Sequence, residues 1–276
     1  MKKILIPCDF SEISENALNY AVGLAKYFSS SLVLLHVDQI PVLNSEFGMS
    51  AYTLTDTTTN SLAALKQLAQ KIQTIEPTIT DIECYSEMGN ATDMIISYAR
   101  KMNVDLTIMG ISGHGSKFMK NIIGSTSVSV AKQLDMPVMI IPPKISFKKI
   151  QNVAYACEYD EDLERNSSLI QVKYINTMLG SKINIVHVIP EAHDLNAVEA
   201  EIDDYVEHKF ENSMHRTFLI TENKASKGLL EFVKNHEIDL LIIEPKKHNI
   251  FHKLFFESTT NEMAFFSPIP VMTIHG

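Results

Sequence analysis

Tryptophan is absent from this sequence of 276 residues, and cysteine occurs only three times. Cys8, Cys84 and Cys157 are an odd number at wide spacing, which predicts neither a disulfide framework nor a zinc site. No apolar run approaches the roughly 18 residues that a membrane-spanning helix needs. These absences are typical of a protein of the reducing cytoplasm, where we expect this one.

Basic residues are also scarce, because 24 lysines and arginines stand against 33 aspartates and glutamates, for a net charge of −9. Nucleic acids and anionic membranes bind basic surfaces, so this balance argues against either as a partner. The N-terminus has the lysines and the short apolar stretch of a weak signal peptide, but Pro7 and Asp9 interrupt that stretch. We interpret it instead as a buried strand.

The two halves of the sequence contain the same pieces in the same order. Four short apolar runs recur in pairs: 4–10 with 153–159, 32–37 with 183–188, 105–109 with 239–243, and 137–139 with 270–272. Conserved order together with conserved chemistry indicates a tandem duplication. We therefore predict a first domain at 1–143 and a second at 149–276, joined by a linker at 142–149 that contains two prolines.

Each paired run predicts a buried parallel strand, and the stretches between the runs have helical spacing. In the first half, Ser11 is a candidate N-cap for the first helix. In the second half, helices are predicted at 163–179, 197–213 and 226–235. The alternation predicts an α/β fold with an open parallel sheet and helices on both faces. The polar, threonine-rich segment 38–60 is long for a connection, which predicts a mobile excursion.

A glycine-rich segment follows the fourth predicted strand of the first half. Its glycines and hydroxyl residues are Gly110, Gly113, Gly115, Gly124, Ser125 and Thr126. Glycine allows the backbone to approach a phosphate closely, and a helix N-terminus supplies unpaired N–H groups and hydroxyl donors. Ligands of open α/β sheets bind at the carboxyl ends of strands where strand order reverses, so Asp9 should lie across the crevice. A carboxylate there suits a ribose hydroxyl or an adenine amino group.

Five separated motifs resemble the universal stress protein family. They are Pro7-x-Asp9-Phe10-Ser11, His36-Val37, Gly110-x-x-Gly113, Gly124-Ser125 and Pro137-Val138. The resemblance covers both halves and implies two tandem, open-twisted, five-stranded parallel sheets of order 3-2-1-4-5. It also implies that the halves pair through their fifth strands, and it leaves a homodimer open. The family includes ATP-binding and non-binding members that act in stress response and signalling.

The resemblance also implies a role for each residue of the site. Asp9 would contact ribose or adenine, Pro7 and Cys8 would form the adjacent wall, Val37 would line the adenine pocket, and Met109 would lie beneath the base. The phosphates of ATP, with or without Mg²⁺, would be held by Gly110, Gly113, Gly124, Ser125 and Thr126. His114 lies in the same loop, where ligand contact and a solvated side chain are about equally expected.

Two departures from the family pattern bear on the ligand. Ten residues, 114–123, separate Gly113 from Gly124, whereas the family has nine; Gly115 could absorb the extra residue as a bulge, or the helix start could be displaced. In the second half, the matching glycines are replaced by Glu244, Lys247 and Glu257, and Glu158 replaces Asp9. Carboxylates at phosphate positions repel the ligand, so we expect no ATP in the second half.

Three functions remain open at this point. The first is a stress or signalling module that binds ATP in its first half, without a catalytic residue. The second is a ligand-free interaction or scaffold protein built as a pseudo-dimer. The third, a nucleotidyl-transfer enzyme, lacks a His-x-Gly-His or comparable signature. No metal site is expected, because His248 and His252 have no evident third ligand, and His36 and His187 match in the repeat, which favours a structural role.

Overall fold

The computed structural model describes residues 1–39, 51–111, 125–157, 167–189, 214–222, 225–244 and 267–275. The chain forms two compact units, and the boundary between them lies between Phe147 and Lys148. Across these described ranges, every helix is too short or too polar for a transmembrane span.

The first unit alternates strands and helices. Its elements are β1 (Lys3–Pro7), α1 (Glu12–Phe28), β2 (Ser31–Asp38), α2 (Ala51–Ile75), β3 (Ile82–Met88), α3 (Ala91–Lys101), β4 (Leu106–Gly110), α4 (Ser125–Gln133) and β5 (Val138–Ile141). All strand pairs are parallel, and their order is β3-β2-β1-β4-β5. Ser11 is the N-cap of α1, as predicted, because its side chain accepts a hydrogen bond from Ser14 N.

The second unit has the same alternation. Its described elements are β6 (Asn152–Cys157), α5 (Ser167–Leu179), β7 (Lys182–Ile189), β8 (His215–Thr221), α6 (Ala225–Asn235), β9 (Leu240–Ile243) and β10 (Val271–Thr273). The strands are again parallel, in the order β8-β7-β6-β9-β10. The predicted α/β class and the order 3-2-1-4-5 are therefore confirmed for the described strands, whereas the helix predicted at 197–213 lies outside the described residues.

The central strands form the core of each unit. Ile4, Leu5 and Ile6 on β1 are fully buried, as are Val153 and Tyr155 on β6. Complete burial of one such aliphatic side chain stabilises a fold by about 1.5–3 kcal/mol before the cost of ordering the chain. A strand buried on both faces has a continuous apolar sequence, which is why periodicity located these strands correctly.

A matched pair of aspartates connects the first and fourth strands of each repeat. Asp105 accepts hydrogen bonds from the backbone N–H groups of Lys2 and Lys3 at 2.5 and 2.9 Å. Asp239 accepts the equivalent bonds from Gln151 and Asn152 at 2.8 and 2.9 Å. Each carboxylate therefore accepts hydrogen bonds from backbone N–H groups at the start of the first strand of the same unit. The duplication therefore extends to individual hydrogen bonds.

One prediction about local structure was wrong. Residues 38–60 were expected to form a mobile excursion, but α2 already begins at Ala51 and continues to Ile75. The polar, threonine-rich composition is typical of a connection, and threonine has only modest helix propensity. The buried residues Leu65, Ala69 and Ile72 anchor the later turns of α2, and helix propagation from an anchored segment is much easier than nucleation. Residues 40–50 lie outside the described part of the chain.

Candidate functional site

A cleft lies at the carboxyl ends of β1 and β4, where strand order reverses on either side of β1. Its volume is about 190 Å³, and it adjoins a second cavity of about 480 Å³ with which it shares Gln39, Ala91 and Thr126. The position follows from the topology, because the connections after β1 and β4 run to opposite sides of the sheet and leave a gap between them. The cleft is where the sequence predicted a ligand.

One wall of the cleft is apolar. Leu35 and Val37 come from β2, Ile95 from α3 and Met109 from β4, and all of them except Val37 are buried. Flat aromatic ligands suit such a wall, because they bury area on both faces without requiring hydrogen bonds there. The flexible thioether of Met109 can also adapt to the outline of a bound ring.

Asp9, which follows β1 between these strands, is the charged feature of the cleft. Its Oδ1 accepts hydrogen bonds from the backbone N–H of Ser11 at 3.0 Å and from the Ser11 hydroxyl at 2.6 Å. Burial raises the pKa of Asp9, but the hydrogen bonds from Ser11 and Ser14 outweigh it and hold the pKa below the usual range. Asp9 is therefore ionised at neutral pH and acts only as an acceptor, which suits hydroxyl and amino donors of a ligand.

Cys8 lines the cleft between Pro7 and Asp9 but is not a reactive thiol. Burial raises the pKa of Cys8 to about 12, with further contributions from Asp9 and Cys84. Its Sγ lies 3.5 Å from the carbonyl oxygen of Ile6, to which it donates. A protonated, buried thiol is a small apolar wall residue, which agrees with the packing role predicted for it.

Gly110 lines the cleft at the end of β4, and its lack of a side chain has a packing cause. A Cβ at this position would lie 2.5 Å from the carbonyl oxygen of Ile13 and 2.7 Å from Ile13 Cγ2. The end of β4 therefore approaches the first turn of α1 as closely as backbone atoms allow. The Gly110 carbonyl also accepts a hydrogen bond from the Ser127 hydroxyl of α4 at 2.8 Å. Gly110 thus joins both helices to β4.

The structure brings together most of the predicted site residues that it describes. Pro7, Cys8, Asp9, Val37, Met109, Gly110 and Thr126 all line the cleft. Ser125 is the first residue of α4, and its backbone position places the helix start at the second cavity beside Thr126. Gly113, His114, Gly115 and Gly124 lie outside the described residues, so their contacts with a ligand stay predictions.

Several lining residues were not predicted. Ile13 and Ser14 enter from the first turn of α1, and Ala91 and Ile95 from α3, with Asn90 capping α3 at the second cavity. The Asn90 side chain accepts from Asp93 N at 3.2 Å, so an asparagine N-cap before a helix was the one signal available in the sequence. That signal locates a helix start but does not reveal that the start lines a cavity.

The second unit has a different side chain at the corresponding place. Glu244, the counterpart of Gly110, directly follows β9 and is buried, with 7% of its surface exposed. Its carboxylate occupies volume that a glycine leaves open. His187, the counterpart of His36, is also buried, and burial lowers its pKa to about 4, so it is neutral at pH 7. Glu158, Lys247 and Glu257 lie outside the described residues.

Metal ligands do not cluster in the part of the chain that the structure describes, where no three histidine, cysteine, aspartate or glutamate side chains could hold one ion. His248 and His252 are beyond those ranges. Of the described lining residues of the cleft, Asp9 alone is charged at neutral pH.

The profile of the universal stress protein family matches residues 1–142, just over half of the chain. The chain belongs to the universal stress protein family. A universal stress protein of Synechocystis is 22% identical over 293 residues, and the match covers 99% of each protein. One from Methanocaldococcus jannaschii is 28% identical over 161 residues, which are 52% of this chain and 97% of that relative.

Known structures support the fold over the whole chain. The crystal structure of a universal stress protein from Archaeoglobus fulgidus is 21% identical, with a TM-score of 0.74, and the match covers 99% of this chain and 96% of that one. The family expected from the five motifs and the tandem organisation expected from the repeated runs are therefore confirmed.

Proposed function

We propose that the domain at 1–143 of this universal stress protein binds ATP in the cleft, and that ATP occupancy changes the affinity of the protein for a partner in a cytoplasmic stress response. The observation that carries the proposal is the presence, in one cleft at the switch point of the sheet, of an apolar wall and an ionised, pre-oriented Asp9. Adenosine has the matching chemistry, because a flat apolar ring adjoins a ribose with two hydroxyl donors.

The volumes of the two cavities suit different parts of the nucleotide. The cleft of about 190 Å³ suits the base, and the adjoining cavity of about 480 Å³ suits ribose and phosphates. Thr92, Thr126 and Ser129 supply hydroxyl donors in the second cavity. The N-terminus of α4 adds free N–H groups and the positive end of its dipole, and Gly113, Gly115, Gly124 and His114 complete the phosphate loop in this proposal.

The domain at 149–276 has a different role in this proposal. The buried Glu244 takes the position of Gly110, and a carboxylate there repels phosphate and fills the space it requires. We propose that this domain pairs with the first through the fifth strands and transmits occupancy of the cleft to a partner. No catalytic residue is assigned, since the described lining residues contain no group that would serve as a general base towards a phosphate other than Asp9, which Ser11 already engages.

Calorimetric titration of ATP, with and without Mg²⁺, tests the nucleotide proposal. Wild-type protein should bind, whereas Asp9→Ala and Gly113→Val should bind at least about tenfold more weakly, since each removes a charged hydrogen bond or blocks a phosphate approach. Asp135→Ala is the matched control, because this aspartate pairs with Arg100 on the surface at 3.2 Å, with 69% of its side chain exposed.

Heat-denatured wild-type protein should also release an adenine nucleotide. Absence of both binding heat and released nucleotide would reject the proposal. Undiminished binding by Gly113→Val would show that a different loop holds the phosphates. Steady formation of ADP above background would show that the protein is an enzyme after all.

A second candidate is a scaffold protein without a nucleotide. The observation in its favour is Gly110, whose missing side chain is fully explained by the approach of Ile13 and requires no phosphate. The longer interval between Gly113 and Gly124 points the same way. The titration separates the two functions, because a scaffold protein gives no binding heat with wild type or with any variant.

A further inference from the structure

His36, near the end of β2, lies between two hydrogen-bond acceptors. Its Nδ1 is 2.6 Å from the carbonyl oxygen of Cys8, and its Nε2 is 3.2 Å from Oδ1 of Asp38. Neither oxygen can donate, and a neutral imidazole has only one N–H. A neutral ring would therefore turn a lone pair towards one of the two oxygens. Both contacts are satisfied only when both nitrogens carry hydrogen and the ring is positively charged.

The surroundings of Asp38 favour that charge. The side chains of His36 and Asp38 are only 14% and 10% exposed. The other described partners of the carboxylate are two neutral hydroxyls, Ser61 of α2 at 3.0 Å and Ser86 of β3 at 3.2 Å. A mostly buried carboxylate is stable when a cation accompanies it, and His36 is in place to provide one.

His36 also contacts the turn between β1 and α1 at two points. One is the Cys8 carbonyl, and the other is the ring of Phe10, whose centroid lies 4.7 Å from that of His36 at an interplanar angle of 30°. Phe10 has φ of 61°, a left-handed conformation that costs a residue with a side chain about 1–3 kcal/mol. In the sequence, Asp9 lies between the two residues that His36 contacts, Cys8 and Phe10. The hydrogen bonds that connect Asp38, His36 and the Cys8 carbonyl therefore hold the strained turn that contains Asp9.

The other titratable groups on the elements around His36 are accounted for by burial or by hydrogen bonds of their own. On β1 and its turn, the pKa of Cys8 is raised to about 12 by burial, and the hydrogen bonds from Ser11 outweigh burial and hold the pKa of Asp9 below its usual range. From β3 and α3, Glu87 accepts a hydrogen bond from the Tyr98 hydroxyl, and burial raises the pKa of Tyr98 to about 12. From α2, the described contact is the uncharged Ser61.

We propose that His36, as an imidazolium bridged to Asp38, is a positioning residue that holds Asp9 for the nucleotide, and that affinity falls as rising pH removes its proton. This inference rests on the proposed function for the identity of the ligand. The mechanism is local: loss of the proton turns one hydrogen bond into a contact between two lone pairs, and the turn then relaxes towards a less strained conformation.

The pH dependence of ATP binding is the first test. Wild-type affinity should fall about three- to tenfold between about pH 6 and pH 8, which is within the range of one ordinary protein hydrogen bond. Asp38→Asn should remove this dependence, because the amide can donate to Nε2 of a neutral ring while Nδ1 still donates to Cys8. His236→Asn is the control and should keep the wild-type dependence, since this histidine belongs to the other unit, where its Nδ1 is 3.0 Å from the Phe232 carbonyl and its ring packs against Phe218 and Phe232.

Wild-type affinity that does not change with pH, or an unchanged dependence in Asp38→Asn, would overturn the proposal. His36→Asn is a second variant for the case that Asp38→Asn does not fold, as judged by circular dichroism. Its amide can still donate to the Cys8 carbonyl but cannot titrate, so its affinity should be independent of pH. Retention of the wild-type dependence in His36→Asn would equally overturn the proposal.

Nuclear magnetic resonance of the ligand-free protein separates this proposal from the nucleotide assignment. The ¹⁵N shifts of the His36 ring and the backbone amide shifts of Asp9, Phe10 and Ser11 should titrate with one common midpoint. This result, in a protein that binds no ATP, would reject the ATP proposal but support the control of the turn by His36. Titration of the ring without movement of the three amides would reject the control of the turn.

Discussion

Replacement of Gly110 by alanine should destabilise the first unit, because a methyl group forced into a tightly packed site costs about 1–3 kcal/mol before any offset from the unfolded chain. The new Cβ would lie 2.5 Å from the Ile13 carbonyl oxygen and 3.1 Å from its carbonyl carbon. Both are backbone atoms, so no side-chain rotation relieves the contact.

The size of the effect follows from the geometry. Carbon and oxygen atoms in favourable contact are about 3.3 Å or more apart, so the first turn of α1 must move by about 0.8 Å. Alanine also restricts the unfolded chain, which offsets about 0.4–1 kcal/mol of the cost. A net loss of 1–2 kcal/mol should lower the melting temperature of a unit of this size by about 3–8 °C.

Urea and thermal unfolding followed by circular dichroism measure this change. Gly228→Ala is the matched control, because Gly228 lies within α6 and its Cβ would meet only side-chain atoms, Ile220 Cγ2 at 3.1 Å and Glu222 Cβ at 3.3 Å. There, the gain in helix propensity of about 1 kcal/mol should offset the contact, so stability should not fall. Gly110→Ala combined with Ile13→Ala should recover little stability, since the contact with the backbone oxygen remains.

Equal stability of Gly110→Ala and wild type would refute the packing explanation and return Gly110 to a role at the phosphates alone. The same variant bears on the ligand site. The first turn of α1 also carries Ser11 and, through it, the orientation of Asp9. Weaker ATP binding in Gly110→Ala should therefore accompany the loss of stability rather than occur without it.

Three further outcomes are expected. Asp239→Asn should lower the unfolding free energy at pH 7. Burial raises the pKa of Asp239, but hydrogen bonds from Lys148, Asn152 and Gln151 outweigh burial and lower the pKa overall. In urea titrations, the difference in unfolding free energy from wild type should therefore vanish as pH falls through the carboxyl range. Burial lowers the pKa of His187 to about 4 from an ordinary 6.5. The contribution of the neutral His187 to the unfolding free energy is therefore fully present above pH 6.5 and is lost as pH falls towards 4. His187→Gln should flatten this dependence of the unfolding free energy on pH. Cys8 should resist alkylation until urea unfolds the first unit, and modification of Cys8 in folded protein would contradict its burial.

The sequence by itself was sufficient for the strands, the duplication and half of the cleft. Strands buried on both faces require continuous apolar runs, and two copies of the same run in the same order have no simpler cause than duplication. Pro7, Cys8, Asp9, Val37 and Met109 line the cleft because each lies at a strand end and the carboxyl ends of parallel strands share one edge; their contacts with a ligand stay predictions.

Contacts between segments distant in the sequence could not be predicted. The carbonyl of Ile13, 97 positions away and on another element, is what excludes a side chain at position 110. The sequence shows the glycine but not the group that excludes a side chain there. The helical start of α2 was missed for a related reason, since local propensity does not register the anchoring of later turns in a core.

His36 shows the same division between sequence and structure. The repeat predicts that His36 and His187 occupy equivalent strand ends, and the pairing of β6 with β7 and of β1 with β2 agrees with that. Only the folded chain places Asp38 and the Cys8 carbonyl on opposite sides of the His36 ring, whereas it buries His187 in its neutral form. Sequence determines which groups are available to a site, and tertiary structure decides their charge and their partners, because hydrogen bonds and desolvation depend on atoms brought together from separate elements.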